Sequence, residues 1–157
     1  MNVLVYASAG EEPILKVWAL DSGRDLADTM AGQAMGADRL RTYDWIRPTQ
    51  IRWYDRTSRE LESRHGREIP GLMFFYIPLS EVKLMWDHRG HHAMTGEKNE
   101  DVAAGVFKSG LFGAVMDRGD VVGISVGHDH VNDFVGDYFG VRSGYAANTG
   151  FGTYGLQ

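Results

Sequence analysis

The chain has 157 residues, 43% hydrophobic and 24% charged, a balance that suits one folded domain with a sizeable core. Its formal net charge of −5, with no basic run, argues against nucleic acid or an anionic membrane as main partner. With no cysteine, disulfides and thiolate sites are excluded, so a metal must be held by imidazole, carboxylate, amide or phenol.

Residues 2–6 and 15–20 read as strands, joined by the turn-rich Ser8-Ala9-Gly10-Glu11-Glu12-Pro13 of a hairpin. Residues 24–41, with Gly32 and Gly36, read as loop with at most a helical turn. Pro48 opens a helix that Gly66 stops, with Ile51, Tyr54, Ser58 and Leu61 on one face. Residues 71–77 form a continuous apolar run, the pattern of a central strand, ended by Pro78. The polar stretch 87–100 reads as irregular, its His88, His91 and His92 solvated with Asp87 and Glu97. A short helix over 109–116 precedes the β-branched strand 121–126, and 134–139 with 141–146 form an antiparallel pair turning at Gly140. No segment reads as a membrane span or secretory leader, and composition leaves the compartment open.

The strongest chemical signal is Gly127-His128-Asp129-His130-Val131-Asn132-Asp133-Phe134. If the preceding strand stays extended, His128 and His130 point to one side and Asp129 to the other. Two neutral imidazoles so spaced can reach one Zn, Fe, Mn or Ni ion. Spacing alone fits as well a core histidine beside a surface one. In sheets with parallel strands, ligands sit at the strands' carboxyl ends, where His128, His130 and Tyr76 fall. The glycine-rich tail lacks the strand, helix and lysine of a phosphate-binding loop.

That octapeptide, Phe74-Phe75-Tyr76-Ile77-Pro78-Leu79 and the closing Gly150-Phe151-Gly152-Thr153-Tyr154-Gly155 together resemble the calcineurin-like metallophosphoesterases, specifically their purple-acid-phosphatase-like branch. Leu20-Asp21-Ser22-Gly23, residues 43–53 and Lys108-Ser109-Gly110-Leu111-Phe112 extend the likeness, in order, over nearly the whole chain. The resemblance implies an α/β fold, a mixed β-sheet sandwich flanked by helices. It also implies hydrolysis of phosphomonoesters or phosphodiesters by water activated at two metal ions (Fe, Mn or Zn). By that likeness His128 and His130 are metal ligands, Asn132 and Asp133 brace them, and Asp129 supports the loop.

Two departures accompany it. Tyr76 stands where the family carries a ligand histidine; a phenolate binds ferric iron, but a neutral phenol is a poor ligand for Zn or Mn. The family's Asp-x-His and Gly-Asn-His motifs have no counterpart here, so residues 1–157 resemble only the carboxyl-terminal half of such a domain. The expectation is a phosphoesterase segment that is inactive alone. The rival is a degenerate module that binds one metal or none and acts by assembly, through a second copy or the missing amino-terminal half.

Overall fold

The computed structural model describes residues 1–30, 32–34, 42–91, 93–148 and 154–155. The opening hairpin forms as expected: β1 (Asn2–Tyr6) runs antiparallel to β2 (Pro13–Ala19), with Val3 opposite Val17 and Val5 opposite Leu15. A two-stranded ribbon, β3 (Thr29–Met30) with β4 (Gln33–Ala34), occupies part of the segment read as loop or helical turn. Residues 35–41 of that segment lie outside the described residues. Helix α1 (Pro48–His65) has the expected bounds, because Pro48 suits the first turn and Gly66 adopts the left-handed φ of 64° that closes a helix. Its buried residues are Tyr54, Ser58 and Leu61.

Strand β5 (Gly71–Phe75) is followed by α2 (Ser80–Asp87), a 3-10 turn at Arg89–His91, and β6 (Met94–Glu97). The reading of 87–100 as irregular therefore needs correction. Met94-Thr95-Gly96-Glu97 has no strand pattern of its own; it is strand because it pairs antiparallel with distant β8 (Asp133–Tyr138). Gly96 permits this with a φ of 98° and a position against the Asp133 carbonyl that no Cβ could share. Helix α3 (Leu111–Arg118), β7 (Val121–Val126) and β9 (Val141–Tyr145) complete the elements among the described residues. The chain is thus α/β, as expected.

Seven strands form one mixed sheet in the order β1-β2-β5-β7-β9-β8-β6. β2, β5, β7 and β9 are mutually parallel, so their carboxyl ends share one edge. From β2 to β5 to β7 the chain steps across the sheet in one direction. Right-handed crossovers taken in one direction place their helices on the same side. The core records this: Trp18, Met73, Ile124 and Phe134 pack with Tyr54, Leu61, Met85, Leu111 and Val115 from α1, α2 and α3. The opposite side of the same strands stays open, with Val3 and Phe74 exposed.

Under the helices lies a buried polar cluster that the sequence does not announce. Lys16 and Asp120 form an ion pair with both side chains fully buried. The Asp120 carboxylate also accepts hydrogen bonds from Tyr54 and Ser58, and Arg118 donates to Ser58 Oγ at 3.2 Å and to Glu62 at 2.7 Å. The cluster joins β2, α1 and the α3–β7 junction. Burial alone would raise the Asp120 pKa, but the bonds from Lys16, Ser58 and Tyr54 outweigh it and hold the carboxyl below its usual range. No described helix is long and apolar enough to cross a membrane.

Candidate functional site

Each parallel strand delivers its next residues to the same edge. Arg24 and Asp25 follow β2, Tyr76 follows β5, His128 to His130 follow β7 and Tyr154 lies beyond β9, and all of these line one cleft of about 560 Å³. That volume is in the range of ordinary ligand clefts, and its position is where an α/β sheet binds ligands. Tyr43, Glu100 and Asp101 contribute from loops.

The His-x-His segment is not a continuation of β7. The strand ends at Val126, and His128 takes the left-handed conformation at φ 74°. Such a backbone is uncommon outside glycine and costs on the order of 1–2 kcal/mol. Contacts on the ring offset that cost. Tyr43 packs edge-on at 4.3 Å and Tyr76 edge-on at 5.0 Å, so His128 is held between two phenol rings. Burial lowers its pKa, with neighbouring Asp129 pulling the other way, and its Nδ1 is buried with no hydrogen-bond partner among the described residues. The ring is therefore a neutral imidazole at neutral pH.

His130 reaches the same cleft from the following turn. Its Nδ1 lies 3.1 Å from the Tyr154 carbonyl, and its ring stacks on the Tyr154 ring at 4.5 Å. A carbonyl only accepts, so Nδ1 is the donor in this contact. The Tyr154 hydroxyl donates to Glu100 at 3.0 Å, and the Val131 N–H bonds the same carboxylate at 3.3 Å. Although the strand does not continue, both imidazoles line the one cleft.

Asp129, between them, is turned inward and only 3% exposed. It accepts from the Ala103 N–H at 3.1 Å and from the Tyr145 hydroxyl, and so fastens the loop to β9. Burial raises its pKa despite those bonds, and burial likewise pushes Tyr145 up, keeping that hydroxyl a donor. Asn132 is fully buried; its oxygen accepts from the backbone of Asn99 and Glu100 at 2.9 and 3.0 Å, fixing the strap that carries Glu100. Asp133 opens β8 and is exposed. Tyr76 is 41% exposed at the cleft mouth.

Several contributors escaped the sequence reading. Ser22, 2% exposed, accepts from the N–H groups of Tyr76 and Ile77 at 3.1 and 2.7 Å and so sets the turn that presents Tyr76. Tyr43 is placed by isolated bridges to Asp25 and Gly105. Neither has a local signal, since each works through a partner far away in sequence. His88 and His91 do not line the cleft; His88 Nδ1 lies 2.8 Å from the Leu84 carbonyl at the end of α2. His92 and the Gly150–Thr153 part of the tail, residues 150–153, lie outside the described residues.

A centre of two metal ions makes heavy demands on donors, and the described residues do not meet them. Two imidazoles face the cleft, but Asp129 is engaged with Tyr145 and Ala103, and Glu100 with Tyr154 and Val131. Among the described residues no three His, Asp or Glu side chains converge as an ion would require. The donors among the described residues do not by themselves make up the two-metal centre that the resemblance implied.

No protein-family model matches the chain, and no solved structure matches it. Three curated relatives, all from Arabidopsis thaliana, do. It is 35% identical over 149 residues to probable inactive purple acid phosphatase 29, covering 90% of this chain and 35% of that protein. It is 37% identical over 120 residues to probable inactive purple acid phosphatase 14, covering 72% and 29%. A third, probable inactive purple acid phosphatase 28, is 37% identical over 119 residues, covering 73% and 28%. The chain spans about a third of the length of these relatives, which agrees with a partial domain. With a sheet of the expected class and relatives along most of its length, the chain belongs to the purple-acid-phosphatase-like branch of the calcineurin-like metallophosphoesterases.

Proposed function

We propose that this chain forms the imidazole wall of a phosphoesterase-type cleft and does not hydrolyse phosphate esters by itself. The observation that carries the reading is the clamped His128. A neutral imidazole wedged between Tyr43 and Tyr76 sits beside His130 at the carboxyl edge of the sheet, with a phenol in place of a further imidazole. In this reading His128 and His130 are the ligand-capable positions, and Tyr76 adds a phenol at the cleft mouth. Ligands of a complete site would be phosphate esters. The relatives' own description as probably inactive phosphatases supports a protein that kept the cleft and lost turnover.

The test is calorimetric titration of the 157-residue chain with zinc and with manganese, beside p-nitrophenyl phosphate turnover, using His128→Ala as control. At most one weakly held ion and no turnover above the blank are expected. Two tightly bound ions together with turnover that His128→Ala abolishes would overturn the proposal.

A further inference from the structure

The two tyrosines that grip His128 come from different loops, yet one short segment holds both. β2 ends at Ala19, and Leu20 still donates to the Phe74 carbonyl at 3.0 Å before the chain leaves the sheet. Ser22 then accepts from the N–H groups of Tyr76 and Ile77, which fixes one jaw of the clamp. Two residues on, the Arg24 carbonyl accepts from the Asp44 N–H at 3.0 Å, and the Leu26 N–H donates to the Thr42 carbonyl at 3.1 Å. Asp25 and Tyr43 are bridged between those bonds, which fixes the other jaw. Gly23 joins the two halves. With a φ of 64° it turns the chain against Asp44, where a Cβ would collide with the carboxylate.

We propose that Gln50, in the first turn of α1 and outside the cleft, is the positioning residue for this clamp and through it for His128. Its side-chain oxygen accepts from the Asp21 N–H at 2.9 Å, and its Nε2 donates to the Asp21 carbonyl at 2.7 Å. A carboxamide carries the same donor and acceptor as a peptide group, so Gln50 gives Asp21 the two bonds that a neighbouring strand would make. It does so at the point where the sheet stops supplying them. The Asp21 carboxylate in turn accepts from the Gly23 N–H at 2.8 Å, which carries the anchor into the bend itself. Release of Asp21 frees Ser22 and Arg24 together, and with them both tyrosines. The left-handed backbone of His128 persists only where its surroundings over-determine it, and the two jaws are those surroundings. The proposal rests on the reading of His128 as a ligand-capable wall of the cleft and names what fixes its ring there.

Carbon–proton correlation spectra of the histidine rings, recorded on the metal-free 157-residue chain, test this. The His128 signal is identified by its loss in His128→Gln. The double variant Tyr43→Leu, Tyr76→Leu removes both rings and gives the unclamped position of that signal. Gln50→Met, similar in length but without the two bonds, should move the signal toward the unclamped position. The His65 and His91 signals and the far-ultraviolet circular dichroism should stay as in the wild type. Added to the double tyrosine variant, Gln50→Met should move the His128 signal no further, because no clamp is left to position. Thr49→Ala, exposed on the same helical turn, should move nothing. A His128 signal unmoved by Gln50→Met, or moved equally with and without the two tyrosines, overturns the proposal. If Gln50→Met fails to fold, Asp21→Ala, which frees the Gly23 N–H, decides by the same comparison. No metal enters the measurement, so a failure of the zinc and manganese titrations and a failure of this test are told apart.

Discussion

Replacing Asp120 by alanine probes the buried cluster most directly. The carboxylate accepts from Lys16, Tyr54 and Ser58 and is fully buried. Truncation leaves the Lys16 ammonium, also 0% exposed, with Ser58 Oγ at 3.3 Å as its one hydrogen-bond partner among the described residues, and strands the Tyr54 hydroxyl. Removing one partner of a buried ion pair costs about 3–5 kcal/mol, because the other charge stays desolvated and unpaired. With a urea slope near ~2 kcal/mol per molar, the unfolding midpoint should fall by about 2 M. Adding Lys16→Met removes the stranded charge, so the double variant should be more stable than Asp120→Ala alone, and its loss should fall short of the sum of the Asp120→Ala and Lys16→Met losses by about 1–3 kcal/mol. Urea unfolding followed by tryptophan fluorescence measures all three, since Trp18 is buried against Tyr54. A midpoint shift below about 0.5 M, or losses that simply add, would refute the idea that the pair acts as a unit.

Three further outcomes follow from particular residues. The folded-state pKa of Asp120 is depressed, so its stabilisation is present above the unfolded carboxyl value of about 3.9 and is lost as pH falls through the lower folded value. The stability gap between wild type and Asp120→Asn should therefore be constant from pH 7 to 5 and narrow on further acidification; a gap that widens in acid contradicts this. Ser22→Ala removes the acceptor for two backbone N–H groups and should cost about 1–3 kcal/mol, with faster hydrogen exchange at the Tyr76 and Ile77 amides. Unchanged exchange there would show that Ser22 does not hold the turn. The β8–β9 turn places Phe139 at φ 52° and Gly140 at φ 83°, the pattern of a two-residue turn that favours Asn-Gly. Phe139→Asn should raise stability by up to about 1 kcal/mol, and a lower melting temperature would count against that account.

The local elements were legible because their signals are local. Pro48 and Gly66 bracket α1, the apolar run marks β5, and Gly140 turns β8 into β9. β6 was not, since Thr95, Gly96 and Glu97 become strand only by pairing with β8. The histidines were legible as a pair, but their backbone was not, because the left-handed turn at His128 depends on rings from Tyr43 and Tyr76 that arrive from distant segments.

The amino-acid sequence by itself determined the periodicities, the helix stops, the absence of thiolate chemistry and the likeness to phosphoesterases. Only the tertiary structure decided which carboxylates stay available at the cleft, since Asp129 and Glu100 are engaged by Tyr145 and Tyr154, across 16 and 54 residues of chain. It also decided which sheet face the three helices cover. Burial and pairing are set by which groups the fold brings together, and a desolvated carboxylate takes whatever donors surround it rather than those next to it along the chain.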